Sequence, residues 1–172
     1  LVHYADDFVV CFQYERDARR FDRALRGRLS KFSLQVAPQK TRRIWFGRFA
    51  RERLRAYGKK PAEFIFLGFR HVCGVTRDGS FAVIRLPSLV ALRRFRDRVK
   101  TWLWDHMHWR VSDQRKHLTR MLRGFYAYFA LPHCGNKLYG LLGDVYRYWR
   151  KVLLRRSHRS KTHWSYLKQQ KW

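Results

Sequence analysis

Acidic side chains are scarce. The 172-residue chain holds 12 Asp and Glu against 39 Lys and Arg, a formal charge of +27, and +17 of it falls on residues 79–172. A compact chain this cationic repels itself unless a polyanion neutralises it, so nucleic acid is the first partner to expect. Cysteine is also sparse. Cys11, Cys73 and Cys134 are three in number, widely spaced, with apolar or small neighbours, which fits reduced thiols and not a disulfide framework. No Cys-x-x-Cys occurs. The close pairs His106/His108 and His71/Cys73 have no second pair to match them, so structural zinc is not expected. No stretch approaches ~20 uncharged apolar residues, which excludes a membrane-spanning helix. Neither a secretory leader nor a repeat of 20–50 residues is visible. Disorder is excluded by what is present: 46% hydrophobic residues, 17% aromatics and seven Trp. The first residue is Leu, inside an apolar run, which reads as a piece of a longer cytoplasmic protein.

Periodicity divides the chain in two. Val2–Ala5 and Phe8–Phe12 are β-prone runs around Asp6-Asp7, the pattern of a tight hairpin with the two aspartates at its tip. Ala18, Phe21, Leu25 and Leu29 then fall at helical spacing among arginines. Leu34 to Val36 and Ile44 to Phe46 read as strands about a turn at Pro38 to Thr41, followed by a charged connection or short helix over 47–61. Phe64 to Phe69, Val72 to Val75 and Phe81 to Leu86 return to strand character, with Thr76 to Gly79 as a turn. After Ser88, a favourable N-cap, all is helical: Leu89 to Leu103, Leu118 to Phe129 ending before Pro132, and a third helix capped by Asn136 and running to Leu153. A basic tail with Trp164, Tyr166 and Leu167 follows. The expected fold is α+β, with antiparallel strands and a helix over 1–86 and an all-α three-helix part over 87–172.

Two adjacent carboxylates between apolar strands admit two readings. One is a turn that uses Asp for its backbone tolerance. The other is a divalent-metal site, since Mg²⁺ takes carboxylate oxygens and a hairpin end holds them firmly. The helical part mixes Arg93, Arg94, Arg98, Lys116, Arg120, Arg123, Arg147, Arg150, Lys151, Arg155 and Arg156 with Trp102, Trp104, Trp109, Tyr126 and Tyr128. Phosphate contacts and stacking on unpaired bases need such a mixture. Phe125, Phe129 and Trp149 read as core. Arg123-Gly124 reads either as a tight helix–helix contact at the glycine or as an RNA contact.

Tyr4-Ala5-Asp6-Asp7 resembles the palm motif of reverse transcriptases. Leu34–Thr41, Phe66-Leu67-Gly68-Phe69 and Arg85-Leu86-Pro87-Ser88 are similar to successive palm and thumb segments of group II intron reverse transcriptases. Leu118–Phe129 resembles their maturase-specific (X) domain, with Thr119 where Asn is common and Phe125 where Trp is common. The resemblance spans nearly the whole chain, in order. It implies the later part of a polymerase palm over 1–86 and a thumb/maturase domain over 87–172. It also implies RNA-directed DNA polymerase and splicing-maturase activities, Mg²⁺ as cofactor, and group II intron RNA and primer–template as partners. The setting would be a cytoplasmic ribonucleoprotein, and a homodimer is compatible with it. By carry-over, Asp6 is the principal metal carboxylate and catalytic residue, with Asp7 its less direct neighbour. Lys40 faces nucleic acid near the active site, and Gly68 lets the primer backbone approach. Arg93, Arg94, Arg98, Arg120, Arg123, Tyr126, Arg150 and Lys151 contact RNA. The family's other metal-binding aspartate and its fingers region have no counterpart in the chain, so these residues alone are not expected to polymerise. No nuclease cluster follows Lys161. A splicing cofactor without polymerase activity and a degenerate reading frame are the alternatives.

Overall fold

The computed structural model describes residues 1–156, and the tail's apolar residues Trp164, Tyr166 and Leu167 lie outside them. These described residues form a mixed α+β protein with five helices and two small antiparallel sheets. They fall into two compact units, Leu1–Ala62 and a second that starts at Glu63. The boundary expected at 86/87 therefore lies inside the second unit, and the strands over 64–87 group with the helices.

In the first unit, β1 (Val2–Tyr4) pairs with β2 (Asp7–Val9) through a two-residue turn, Ala5-Asp6. The tip is one residue earlier than expected: Ala5 takes a positive φ of 52° and Asp7 opens β2 opposite Tyr4. This register sets Val2 across from Val9 and His3 across from Phe8, matching β-branched and aromatic partners across the ladder. Next comes α1 (Glu15–Ser30), held along its length by i,i+4 pairs such as Arg26–Asp22 at 3.0 Å. Its stripe of Ala18, Phe21, Leu25 and Leu29 is only half-buried. Ser33 at φ 56° then lets Leu34 N–H reach the Leu29 carbonyl, the arrangement of a Schellman helix end.

The strands expected at Leu34–Val36 and Ile44–Phe46 do not form. Between them the chain turns locally, Lys40 and Thr41 both returning their N–H groups to the Ala37 carbonyl, while the Trp45 carbonyl accepts from Ala62 N–H at 3.4 Å. The charged segment contains a short helix, α2 (Ala50–Arg55). Ala50 is the one buried residue of this unit.

The second unit opens with the sheet β3 (Phe64–Phe66), β4 (Phe69–Val75) and β5 (Phe81–Pro87). Leu67 and Gly68, at φ 49° and 76°, close the first hairpin as a type I′ turn, whose second position glycine fills without strain. Ser88 caps α3 (Leu89–Asp105) as expected, its hydroxyl accepting from Ala91 N–H at 3.1 Å. α4 (Val111–Phe129) stops before Pro132. The last helix, α5 (Gly135–Arg155), has its cap at Cys134, two residues before the cap expected at Asn136, and the Cys134 carbonyl accepts from Lys137 and Leu138.

The three long helices meet along apolar stripes. Leu92, Phe95, Val99 and Leu103 of α3, Leu118, Leu122, Phe125 and Phe129 of α4, and Leu138, Leu141, Val145, Trp149, Val152 and Leu153 of α5 make one buried cluster. The sheet docks on this bundle at one end. Phe69 packs its ring 4.9 Å from that of Phe129, the Tyr128 hydroxyl donates to the Leu67 carbonyl at 2.9 Å, and the Cys134 thiol donates to the Arg85 carbonyl at 3.2 Å.

Candidate nucleic-acid interface

Asp6 and Asp7 are exposed on adjacent positions, one in the turn and one on β2. Both supply the hard oxygen donors that Mg²⁺ takes. Among the described residues no group of three His, Cys, Asp or Glu side chains comes together. The pair therefore fits a metal only as part of a larger donor set, and no catalytic step follows from it alone. Lys40 lies in the turn that folds back to Ala37, with its side chain exposed.

Gly68 has a packing role. A Cβ built there would lie 3.4 Å from the Phe129 ring, and its carbonyl accepts from Ser88 N–H at 2.9 Å. Tyr126 is likewise committed inside the protein: its hydroxyl donates to the Leu138 carbonyl at 3.0 Å, joining α4 to α5, and burial pushes its pKa up. Trp102, too, is turned inward and packs on the core. His117 stacks on it at 4.0 Å and His106 at 4.6 Å, while Trp109 meets His106 edge-on. Burial holds the His117 pKa below its ordinary value, with help from the nearby Arg120 and His106 charges.

The cations remain outside. Arg93, Arg94 and Arg98 on α3, Arg120 and Arg123 on α4, and Arg150 and Lys151 on α5 are all exposed. Gly124, beside Arg123, touches no neighbour: a Cβ added there meets nothing within 4 Å. The tight helix contact considered for it does not exist. A glycine inside a helix costs about 1 kcal/mol relative to Ala, and among the described residues no close packing at Gly124 offsets that cost. The face carrying Arg120, Arg123 and Gly124 is thus basic and low, open to close approach by another molecule's backbone.

One cluster draws cations and rings from two helices. Between α3 and α5 a shallow depression of about 280 Å³ is lined by Lys100, Leu103, Trp104, Tyr148, Lys151, Val152 and Arg155. The Arg155 guanidinium lies 4.9 Å over the Trp104 ring, and the Lys100 ammonium 4.8 Å over that of Tyr148. Each pair takes its ring from one helix and its cation from the other. A second hollow, lined by Arg147, Tyr148, Arg150, Lys151 and Leu154, continues along α5. Arg150 and Lys151 both line this hollow. Lys100 and Tyr148 were missed as site residues, although Lys100 and Trp104 stand one helical turn apart and so share a face.

Packing between these helices is fixed from below. Arg96 of α3 donates to the Asp144 carboxylate of α5 at 2.6 Å, and Arg147 pairs with the same carboxylate. Among the described residues no helix is long and apolar enough to cross a membrane. Protein-family models, curated proteins and solved structures offer no match to this chain.

Proposed function

We propose that the chain is part of a group II intron-encoded reverse transcriptase and maturase, and that it binds folded intron RNA through its second unit. On this reading residues 1–86 correspond to the later part of a polymerase palm and residues 87–172 to the thumb and maturase-specific domain. The protein would act in a cytoplasmic ribonucleoprotein. The observation that carries the reading is the division within the second unit between a largely apolar core built by α3, α4 and α5 and an outside on which Arg93, Arg94, Arg98, Arg120, Arg123 and Arg150 are exposed. A maturase needs a rigid basic surface of that kind, because the RNA supplies its own splicing chemistry and the protein holds the RNA fold. Phosphate contacts position such a complex, while unpaired bases give it selectivity.

The polymerase half of the same reading rests on Asp6 and Asp7 with Mg²⁺. It requires a further metal-binding carboxylate, which this chain does not bring to that pair. RNA binding is therefore the activity proposed for these residues themselves.

Competition binding at physiological salt tests the proposal. A folded group II intron should displace a labelled intron fragment at lower concentration than a length-matched RNA duplex does. Replacing Arg120 and Arg123 together with Ala should weaken affinity and narrow that preference. Equal competition by intron and duplex would leave a nonspecific polycation and would sink the splicing-cofactor reading.

A further inference from the structure

The depression between α3 and α5 has a chemistry that bare phosphate recognition does not require. Its floor is apolar, made by Leu103 and Val152, and its walls are two aromatic rings, each carrying a cation from the opposite helix. Trp104 is 41% exposed although it directly follows the buried Leu103. No carboxylate lines the depression. Asp97, one turn back on α3, lies 3.7 Å from Lys100, while Lys151 and Arg155 form no ion pair among the described residues.

A double helix presents phosphates outward and keeps its bases stacked on one another, so it could use the cations here but not the rings. An unpaired nucleotide offers both: a flat π-face for the ring and a phosphate for the cation. The Arg155 guanidinium is planar, and where it covers Trp104 it extends the stacking platform while its outer N–H groups stay available to phosphate. We propose that this depression binds an unpaired nucleotide of the RNA, with its base stacked against the Trp104–Arg155 pair and its flanking phosphates on Lys100 and Lys151. The inference rests on the RNA-binding reading above and names the part of the RNA that this surface takes.

Fluorescence anisotropy with the full chain tests it, using three labelled 12-mers at fixed salt: a single-stranded RNA, the corresponding duplex, and an abasic strand with the same phosphates. Loss of one base stack corresponds to roughly 5- to 150-fold in affinity. Trp104→Ala should weaken the single strand within that range and leave the duplex and the abasic strand within about twofold. Trp104→Tyr, which keeps a stacking ring, should recover most of the loss. Thermal melts of both variants beside the parent chain separate binding from folding. An equal loss on all three ligands, or no loss on the single strand, overturns the proposal. So does an abasic strand that binds the parent chain as tightly as the single strand, since charge alone would then account for the site. If the chain binds folded intron RNA but not the single strand, this inference falls and the RNA-binding reading stands. If it binds none of these RNAs, both fall.

Discussion

Gln114 is fully buried, at 0% exposure, in the middle of an otherwise apolar cluster. Its amide nitrogen donates to the carbonyls of His106 at 2.7 Å and Met107 at 3.2 Å, and its oxygen accepts from the Trp149 indole N–H at 2.8 Å. One side chain thus ties the segment after α3 and the centre of α5 to the start of α4. Gln114→Met keeps the length and removes all three bonds. The His106 carbonyl retains the Trp109 N–H as a partner, so the cost falls mainly on the Met107 carbonyl and the Trp149 N–H. Each buried polar group that loses its bond costs about 1–3 kcal/mol, which puts the substitution at roughly 2–6 kcal/mol. Against a total stability of about 5–15 kcal/mol that is a large fraction. Urea unfolding followed by far-UV dichroism reads it directly: with a slope of about 2 kcal/mol/M the midpoint should drop by roughly 1–3 M. Trp149→Phe deletes the bond from its other end, so the double variant should cost less than the two single costs added, with a coupling of at least about 0.5 kcal/mol. A Gln114→Met cost below about 0.5 kcal/mol, or strict additivity with Trp149→Phe, would refute the bridging role.

Gly124→Ala should stabilise the helical unit by about 0.5–1 kcal/mol, since the added methyl is unopposed and helix propensity improves. The same change should weaken intron RNA binding, and a variant that gains stability without losing affinity would show that nothing approaches this glycine. If ~6–8 phosphates are neutralised, affinity for RNA should fall roughly 10³-fold between ~50 and ~200 mM salt; a nearly flat salt titration would contradict the basic-surface argument. Asp6→Ala, at an exposed turn position, should shift unfolding by no more than about 0.5 kcal/mol and leave RNA affinity unchanged. The chain as given should not extend a primer in Mg²⁺, and templated extension would show that Asp6 and Asp7 need no further carboxylate. Burial lowers the pKa of both His71 and His117 from the ordinary 6.5, with Arg85 adding to the first shift and Arg120 and His106 to the second. The unfolded chain therefore binds the extra protons first, so the stability these two histidines confer is intact above about pH 6.5 and is lost as pH falls through the folded values. The melting temperature should drop from pH 7.5 to pH 5, and less steeply in His117→Gln; a rise on acidification would reverse the sign of the argument.

Helices and their buried faces were legible because the 3.6-residue period is long and redundant. Phe95, Leu118 and Trp149 each stand in a stripe of several apolar residues, and every one is buried as expected. The β4–β5 hairpin was legible because Thr76 to Gly79 marks its turn, whereas Leu67-Gly68, expected inside a strand, forms the turn between β3 and β4. Where one residue decides, the sequence was ambiguous. The hairpin tip at Ala5-Asp6 differs from Asp6-Asp7 by a single step of register, and cross-strand partners chose between them. Leu34–Val36 and Ile44–Phe46 have strand composition but form no strand, because composition alone does not bring two segments into a ladder. Site residues were harder still. Arg93 and Arg123 are exposed as expected, yet Tyr126 and Gly68 are used for packing, and the crossing pairs Lys100–Tyr148 and Trp104–Arg155 join residues 48 and 51 positions apart in sequence, on two helices that come to face each other. No local pattern encodes that.

Burial so concentrated in one unit governs what a denaturation experiment on this chain measures. Ala50 alone is buried in residues 1–62, while α1 contributes no buried side chain at all. Local opening free energy follows burial and protected backbone bonds. Amide protons of α1 should exchange with deuterium through cheap local openings, whereas those near Val99, Leu118 and Val145 should wait for the whole bundle to come apart. Trp102, Trp104, Trp109 and Trp149 all belong to that bundle, with Trp45 as the first unit's one indole. An unfolding curve followed by indole emission consequently reports the cooperative melting of the helices and is nearly blind to the hairpin that carries Asp6 and Asp7.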